Sequence, residues 1–154
     1  MKSKKMVCML LAFTVIANCI IAQVNAAEVY NEPIWLEDMA CELINPSNLE
    51  FWEECAILRA SGSINGNISA YSMSTVFSPV FLQARNTVTI NCSYSPSSAS
   101  MDFGVIAPDG KFYYVNVKEG SINQPIRVNQ TGDYSVAIRN NSSQTVSVVG
   151  FVEY

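Results

Sequence analysis

The residues that could carry acid–base or nucleophilic chemistry are few, and their types exclude most catalytic systems. The 154-residue chain contains no histidine, so it can form neither a Ser-His-Asp triad nor a Cys-His pair nor a zinc site that uses histidine. The acidic residues beyond position 54 are Asp102, Asp109, Glu119, Asp133 and Glu153. Asp109 and Asp133 stand beside turn glycines, where Asp is favoured because its carboxylate hydrogen-bonds to nearby backbone.

A pair of carboxylates is the remaining route to hydrolysis. Asp102 and Glu119 are the only remaining candidates for such a pair beyond residue 54. A glycosidase needs its two carboxylates to face each other across a cleft. No feature of the sequence brings these two together, and the spacing of calcium ligands around Asp109 and Asp133 is absent. We therefore expect no catalytic residue, no metal and no cofactor, and a small hydrolase is the least favoured function.

A hairpin around Pro108-Asp109-Gly110 supplies the candidate binding residues. Proline followed by Asp and Gly is typical of a three-residue loop, which sets Ala107 opposite Lys111 and Val105 opposite Tyr113. Alternation then divides the two strands between two faces. The core face holds Phe103, Val105, Ala107, Tyr113, Val115 and Val117, and the other face holds Asp102, Gly104, Ile106, Phe112, Tyr114 and Asn116.

That second face is too apolar to lie open to water, and two interpretations remain. In the first, the acidic N-terminal segment covers it with Trp35, Trp52 and Phe51, because monomers seldom leave large apolar patches exposed. In the second, the face is a ligand-binding site. Its aromatic residues, Phe112 and Tyr114, would stack on a sugar or peptide, while Asp102 and Asn116 would supply hydrogen bonds.

The cysteines indicate an oxidising compartment and one disulfide. Cys41 and Cys55 flank a turn at Asn45-Pro46-Ser47 and are the natural pair. Cys92 shares one strand face with Val88, Ile90 and Tyr94 and is expected to be a buried free thiol. A catalytic role for a cysteine is disfavoured because the chain has no histidine to generate a thiolate.

Residues 1–26 have the pattern of a secretory signal peptide. Lys2, Lys4 and Lys5 precede an apolar run over 6–22, and Val24-Asn25-Ala26 places small residues at a cleavage site. An uncleaved membrane anchor is the alternative, although the run is at the short limit for a span. The mature chain should be secreted, touching a membrane only through the signal peptide before cleavage. Its six basic and thirteen acidic residues give a charge of −7, which disfavours nucleic acid as a partner.

The mature chain divides into two unlike parts. Residues 27–56 form an acidic segment with eight carboxylates and no basic residue. Asn31 as a cap, Pro33 in the first turn and helical apolar spacing predict a short helix ending near Leu43. A capping box at Ser47-Asn48-Leu49-Glu50 predicts a second helix.

Residues 57–154 are predicted to form an all-β, antiparallel, jelly-roll-like sandwich. Turn signals recur about every ten residues, and the connections are too short for crossover helices. Asn65-Gly66 predicts a two-residue hairpin turn, and Tyr134 after Gly132-Asp133 predicts a tyrosine corner. About eight strands follow from these signals. The nine segments with strand-like alternation from which they are drawn are 60–64, 67–73, 80–83, 87–94, 101–107, 111–117, 122–128, 133–139 and 145–153.

The end of the chain resembles a known family. Thr131-Gly132-Asp133-Tyr134-Ser135-Val136-Ala137-Ile138-Arg139-Asn140, with Val146, Val148 and Gly150, is similar to the final hairpin of the bacterial pre-peptidase C-terminal domain. The resemblance covers roughly 76–154 and implies a small exported β-sandwich that helps a protein to bind or be processed. It implies no catalytic residue. The calcium-linked acidic turns of that family have no clear counterpart here.

These observations predict a secreted, non-catalytic binding or interaction module that acts at the cell envelope or outside the cell. A carbohydrate or a protein is the expected ligand. The alternative is a structural or regulatory protein whose acidic arm docks a partner chain, with the sandwich as its carrier.

Overall fold

Apolar and polar residues alternate along most strands, and this alternation builds a sandwich of two sheets around one core. The computed structural model describes residues 31–45, 49–51, 61–76 and 78–154. The strands in this part of the chain are β1 (Ile34–Trp35), β2 (Ala40–Leu43), β3 (Leu49–Phe51), β4 (Ser61–Ile68), β5 (Met73–Thr75), β6 (Val80–Leu82), β7 (Thr87–Ser95), β8 (Met101–Ile106), β9 (Lys111–Val117), β10 (Ser121–Arg127), β11 (Gly132–Asn140) and β12 (Val146–Glu153).

The strands form a five-stranded and a seven-stranded sheet. The five-stranded sheet has the order β1-β10-β7-β12-β4. The seven-stranded sheet has the order β2-β9-β8-β11-β5-β3, with β6 also pairing with β11. All pairs are antiparallel except β1 with β10 and β3 with β5. The predicted all-β sandwich is confirmed, with more strands than expected because the acidic segment adds three.

The core lies between the inner faces of the two sheets. Val88, Ile90, Cys92 and Tyr94 are all buried on the inner face of β7, as the alternation predicts. Tyr134 is buried at the start of β11, and its hydroxyl donates a hydrogen bond to the Gln130 carbonyl at 2.9 Å. This bond to backbone a few residues upstream is the geometry of the predicted tyrosine corner.

The first helix predicted in the acidic segment is wrong. Residues 34–43 form β1, a single 3₁₀ turn over Leu36–Asp38, and β2. β1 pairs with β10 and β2 with β9, so sheet edges supply the backbone partners that a helix would have supplied internally. Leu36 is still buried in the core, because the turn between the two strands points it inward.

The second predicted helix and several other expectations fall partly or wholly outside the described residues. Leu49–Phe51 is strand β3, paired with β5, rather than the first turn of a helix. Trp52, Cys55, the signal peptide at 1–26 and the boundary near residue 57 are not among the described residues. No helix in the described ranges is long and apolar enough to cross a membrane.

The predicted hairpin turn at Asn65-Gly66 is also wrong. β4 runs through this dipeptide without a break and pairs along its whole length with β12, with Gly66 opposite Val148. Ile64 and Ile68 both point into the core. The alternation of these inward residues continues across Gly66, and the long partner strand overrides the local turn preference.

Candidate functional site

The β8–β9 hairpin positions the four predicted binding residues, and it forms in the predicted register. The Ala107 N–H donates to the Lys111 carbonyl at 2.9 Å, and Gly110 adopts φ +79°, which favours glycine. Asp109 stabilises the turn, because its Oδ1 accepts the Lys111 N–H at 3.1 Å and its Oδ2 accepts the Tyr113 hydroxyl at 2.8 Å. Val105 consequently lies opposite Tyr113.

The turn also couples two titrating groups. Burial raises the pKa of Asp109, but the hydrogen bonds from Tyr113 and Lys111 and the Lys111 charge outweigh it and hold that pKa below its ordinary value. The hydrogen bond to Asp109, together with burial, raises the pKa of Tyr113 to about 12. The two hydrogen bonds to Asp109 stabilise the turn conformation of the loop.

The hairpin register brings the four predicted residues together on the outer face of the seven-stranded sheet. Asp102 lies opposite Asn116, whose Nδ2 donates to Asp102 Oδ1 at 2.6 Å. The rings of Phe112 and Tyr114 stack with centroids 5.1 Å apart and planes 21° apart. The prediction that these side chains share one face is therefore correct.

Arg139 is the central residue of this cluster, and sequence analysis missed it. It lies on β11 directly opposite Asp102. Its Nε donates to Asp102 Oδ2 at 2.8 Å, and its Nη2 is 2.7 Å from the same oxygen. The guanidinium carbon lies 4.7 Å from the centre of the Tyr114 ring and 5.6 Å from that of Phe112, which is cation–π geometry.

The polar side chains of this cluster hydrogen-bond to one another and to neighbouring residues of the chain. Asp102 is 1% exposed, and its Oδ2 also accepts a hydrogen bond from Asn141 Nδ2 at 2.8 Å. Burial of the Arg139 guanidinium lowers the pKa of that group. The buried Asp102 carboxylate has an ion pair with Arg139 and accepts hydrogen bonds from the amides of Asn116 and Asn141. Both of its oxygens therefore already have partners within the chain, which is typical of a structural role. We call these residues, Asp102, Phe112, Tyr114, Asn116 and Arg139, the arginine network.

Side chains of the acidic segment pack on the arginine network from the edges of the same sheet. Glu42 on β2 forms an ion pair with Arg139 Nη1. Ile44 and Leu49 pack against the small apolar cluster that contains Phe112, which is 0% exposed. Phe112 is therefore closed to a ligand in this arrangement. The cover comes from edge strands, whereas Trp35 lies on β1 in the other sheet.

Local sequence contains one signal for Arg139. Alternation along β11 places Arg139 on the same face of the sheet as Ala137, a small buried residue two positions earlier. Its partner Asp102 is 37 residues away, on a strand that is not adjacent in sequence, so the pairing itself could not be read from the chain.

The outer face of the five-stranded sheet has a different composition. Most of its side chains are hydroxyls and amides, with two exposed apolar residues on β12: Val149, 54% exposed, and Phe151, 41% exposed. We call this surface the amide face. Its other described members are Ser63, Asn65, Asn67, Thr87, Thr89, Asn91, Ser93, Ser95, Ser121, Asn123, Pro125, Arg127, Ser147 and Glu153.

The strand register arranges these residues in rows that cross the sheet. Phe151 lies between Ser63 and Asn91, and Asn123 follows Asn91 on the next strand. The neighbouring row places Val149 between Asn65 and Ser93. A row that crosses four strands is about 14 Å long, because paired strands lie about 4.8 Å apart.

The amides of this face are open. Among the described residues, the side chains of Asn65, Asn67, Asn91 and Asn123 have no hydrogen-bond partner within the protein. At one edge the Arg127 guanidinium stacks on the Trp35 ring at 5.3 Å. Arg127 and Glu153 are the charged residues of the face as described.

The thiols and metal-ligand residues form no further site within the described ranges. No group of three or more Cys, Asp or Glu side chains comes together there in a way that could hold a metal ion. Burial raises the pKa of Cys92 to about 12, although a hydrogen bond from the Phe151 backbone opposes that shift. Cys92 is thus the buried thiol expected from its strand face. Cys41 is an exposed free thiol in the structure, and since Cys55 is not described, the Cys41–Cys55 bond stays a prediction.

The all-β class of the chain rests on its own strands and sheets. No protein-family model matches the chain, and no curated protein matches it. The resemblance to the pre-peptidase C-terminal domain is accordingly unconfirmed.

One solved structure with a similar fold is that of Aeromonas hydrophila PliG, a periplasmic inhibitor of g-type lysozyme. The similarity has a TM-score of 0.47 and 16% identity, and it covers 69% of this chain and 95% of that one. A likeness at this level concerns architecture alone.

Proposed function

We propose that this protein is an exported, non-catalytic binding module whose ligand binds to the amide face. The observation that supports this most directly is the set of open amides beside two exposed apolar side chains, Val149 and Phe151. A binding site needs polar groups without internal partners and apolar surface to be desolvated. The amide face offers both on one face of the five-stranded sheet.

The charge distribution supports the same surface. Soluble proteins commonly have about 25–35% charged residues on their surface. Arg127 and Glu153 are the charged members of the amide face, although the mature chain is expected to carry a net charge of −7. A sheet face of hydroxyls and amides that is nearly free of charge suits a neutral ligand better than an ionic one.

The arginine network supports a structural role for the residues first considered for binding. Asp102 and Asn116 hydrogen-bond to each other, and Phe112 is buried beneath Arg139 and beside strand β2. In this proposal the network anchors the acidic segment to the sandwich. The described strands of that segment pair within the chain, so no contact there favours the alternative of a free docking arm.

Export is part of the proposal and rests on the sequence. The lysines at positions 2, 4 and 5, the apolar run over 6–22 and the small residues before position 27 support removal of a signal peptide. Sequencing the N-terminus of protein recovered outside the cytoplasm should find Ala27 or Glu28. Recovery of chains that begin at Met1 would contradict this part.

Co-sedimentation with envelope material of the producing cells tests the binding surface. The mature protein, residues 27–154, should pellet with that material, and the double variant Val149→Ser/Phe151→Ser should remain in solution. The matched control is Phe81→Ser, which removes another exposed aromatic residue, 64% exposed, from β6 in the other sheet. Equal sedimentation of both variants, or none by the wild type, would overturn the proposal.

A further inference from the structure

We infer that the ligand of the amide face is an uncharged polysaccharide lying across the strands, an inference that rests on the proposed function. Phe151 and Val149 would pack against the C–H faces of sugar rings. Asn65, Asn91 and Asn123 would bind the hydroxyl groups on either side.

The hydrogen-bonding chemistry of the face matches sugar hydroxyls. Each asparagine amide offers two donor hydrogens and an acceptor oxygen, and each serine hydroxyl can both donate and accept. A sugar hydroxyl also does both, so one type of side chain suits every hydroxyl of a neutral polymer. The open amides of Asn91 and Asn123 stand side by side in one row with the Phe151 ring.

The apolar residues fit the other surface of a sugar ring. The Phe151 ring is partly exposed on the central part of the face, and Val149 is its neighbour two positions earlier on the same strand. Ring C–H groups pack on such side chains while the hydroxyls at the ring edge reach the flanking amides. Each row sets an apolar side chain of β12 between polar side chains, because β12 lies between β4 and β7.

The charges on the face argue against other classes of ligand. Recognition of phosphate, sulfate or carboxylate groups uses Arg or Lys, and the described face has Arg127 at one edge and Glu153 on another strand. Nucleic acid and acidic polymers are therefore disfavoured. The core of a protein–protein interface is enriched in Tyr, Trp, Met and Arg, whereas this face is mostly Ser, Thr and Asn.

The extent of the amide face indicates a polymer. A small ligand needs a concave pocket that buries most of its surface. A row of side chains across four strands, about 14 Å long, instead makes weak contacts with several successive units. Binding should therefore be undetectable for single sugars and should increase with the length of the chain.

The test is retention of the mature protein by defined polysaccharides. The uncharged probes are cellulose, chitin, mixed-linkage β-glucan, xylan and dextran, and the anionic probe is polygalacturonate. At least one uncharged probe should retain the wild type, and polygalacturonate should not. Asn65→Ala/Asn123→Ala should lower the binding constant about tenfold, the effect of losing two neutral hydrogen bonds, and Phe151→Ser should abolish retention. Phe81→Ser should be unchanged, and circular dichroism melts should show all variants folded.

Three results would overturn the inference. They are failure of every uncharged probe, retention that the Asn65, Asn123 and Phe151 variants do not change, and a dimer in sedimentation that Phe151→Ser dissociates. If the uncharged probes fail but envelope sedimentation still depends on Phe151, the ligand class is wrong and the amide face remains the binding surface. If both assays fail, the proposed function fails as well.

Discussion

The outer faces of both sheets contain aromatic and polar side chains, but those on the seven-stranded sheet contact one another, whereas those on the five-stranded sheet face solvent. On the seven-stranded sheet, Phe112 and Tyr114 stack, and Asp102 pairs with Arg139 and Asn116. On the five-stranded sheet, the asparagine side chains make no hydrogen bond to another described residue, and Phe151 is 41% exposed. The first face is completed by strands β2 and β3, and no strand in the described part of the chain packs on the second.

This difference shows that aromatic residues beside polar ones do not by themselves mark a binding site. What separates the faces is where the hydrogen bonds of the polar groups go. A buried polar group that already has internal partners contributes stability and a unique packing, whereas an open amide can exchange water for a ligand. The two faces should therefore respond oppositely to substitution, in stability on one and in binding on the other.

The largest effect should come from the aromatic pair under the acidic segment. The double change Phe112→Ser/Tyr114→Ser should destabilise the protein by about 5 kcal/mol or more, because one ring is fully buried and the other stacks on it. Urea denaturation of the mature protein measures this. A loss below about 1 kcal/mol would mean that the rings are accessible and would restore them as a ligand platform.

Removing the buried carboxylate should have the next largest effect. Asp102→Ala leaves the partly buried Arg139 without its main partner, which should cost about 3–5 kcal/mol. The matched control is Asp109→Ala at the exposed hairpin tip, where the loss should stay near 1 kcal/mol. Similar losses in the two variants, again by urea denaturation, would contradict the central role of the arginine network.

Tyr134 lies in the core and belongs to neither outer face, so its variants measure what a core residue contributes to stability. Tyr134→Ala should cost about 3 kcal/mol, because the side chain is 2% exposed in the core. Tyr134→Phe should cost about 1 kcal/mol, the loss of the hydrogen bond to the Gln130 carbonyl. Equal thermal midpoints for Tyr134→Phe and wild type would show that the tyrosine corner contributes packing only.

The Cys92 thiol, on the inner side of the five-stranded sheet, should make stability depend on alkaline pH. Its pKa is about 12 in the folded chain and 9.0 without burial, so above pH 9 unfolding releases a proton and the folded state loses relative stability. Between pH 7 and 10.5 the wild type should lose about 2 kcal/mol more than Cys92→Ala. Parallel pH profiles from denaturant titrations of the two proteins would show that the thiol is not buried.

The smallest stability effect should come from the amide face. Val149→Ser/Phe151→Ser should change the free energy of unfolding by only about 0.5 kcal/mol, as is usual for surface positions. Comparison with the Phe112/Tyr114 double variant in the same denaturation assay is the most direct contrast between the faces. A loss of several kcal/mol here would show that an undescribed part of the chain packs on this face.

The strands and the main hairpin were predictable because they rest on local patterns. The Pro108-Asp109-Gly110 turn and the alternation around it predicted the register that sets Val105 opposite Tyr113. The buried face of β7 and the Tyr134 corner followed from period-two spacing and a turn glycine. In each case neighbours in sequence decide the geometry.

Predictions failed where a distant strand overrides local preference. Residues 34–43 have apolar residues at helical spacing, yet free edges at β10 and β9 pair with them as strands. Asn65-Gly66 favours a turn, yet β12 holds it in an extended strand. Edge pairing between segments remote in sequence leaves no local signal, and so the acidic segment was assigned the wrong structure.

The sequence by itself determined an all-β sandwich, the faces of most strands and the residues that share the β8–β9 hairpin. Tertiary structure decided which outer face is closed. Arg139 meets Asp102 only because β11 pairs with β8, and Glu42 reaches Arg139 only because β2 adds to the sheet edge. Side-chain alternation is a local property of the backbone, whereas the order of strands in a sheet depends on contacts between residues that are far apart in the chain.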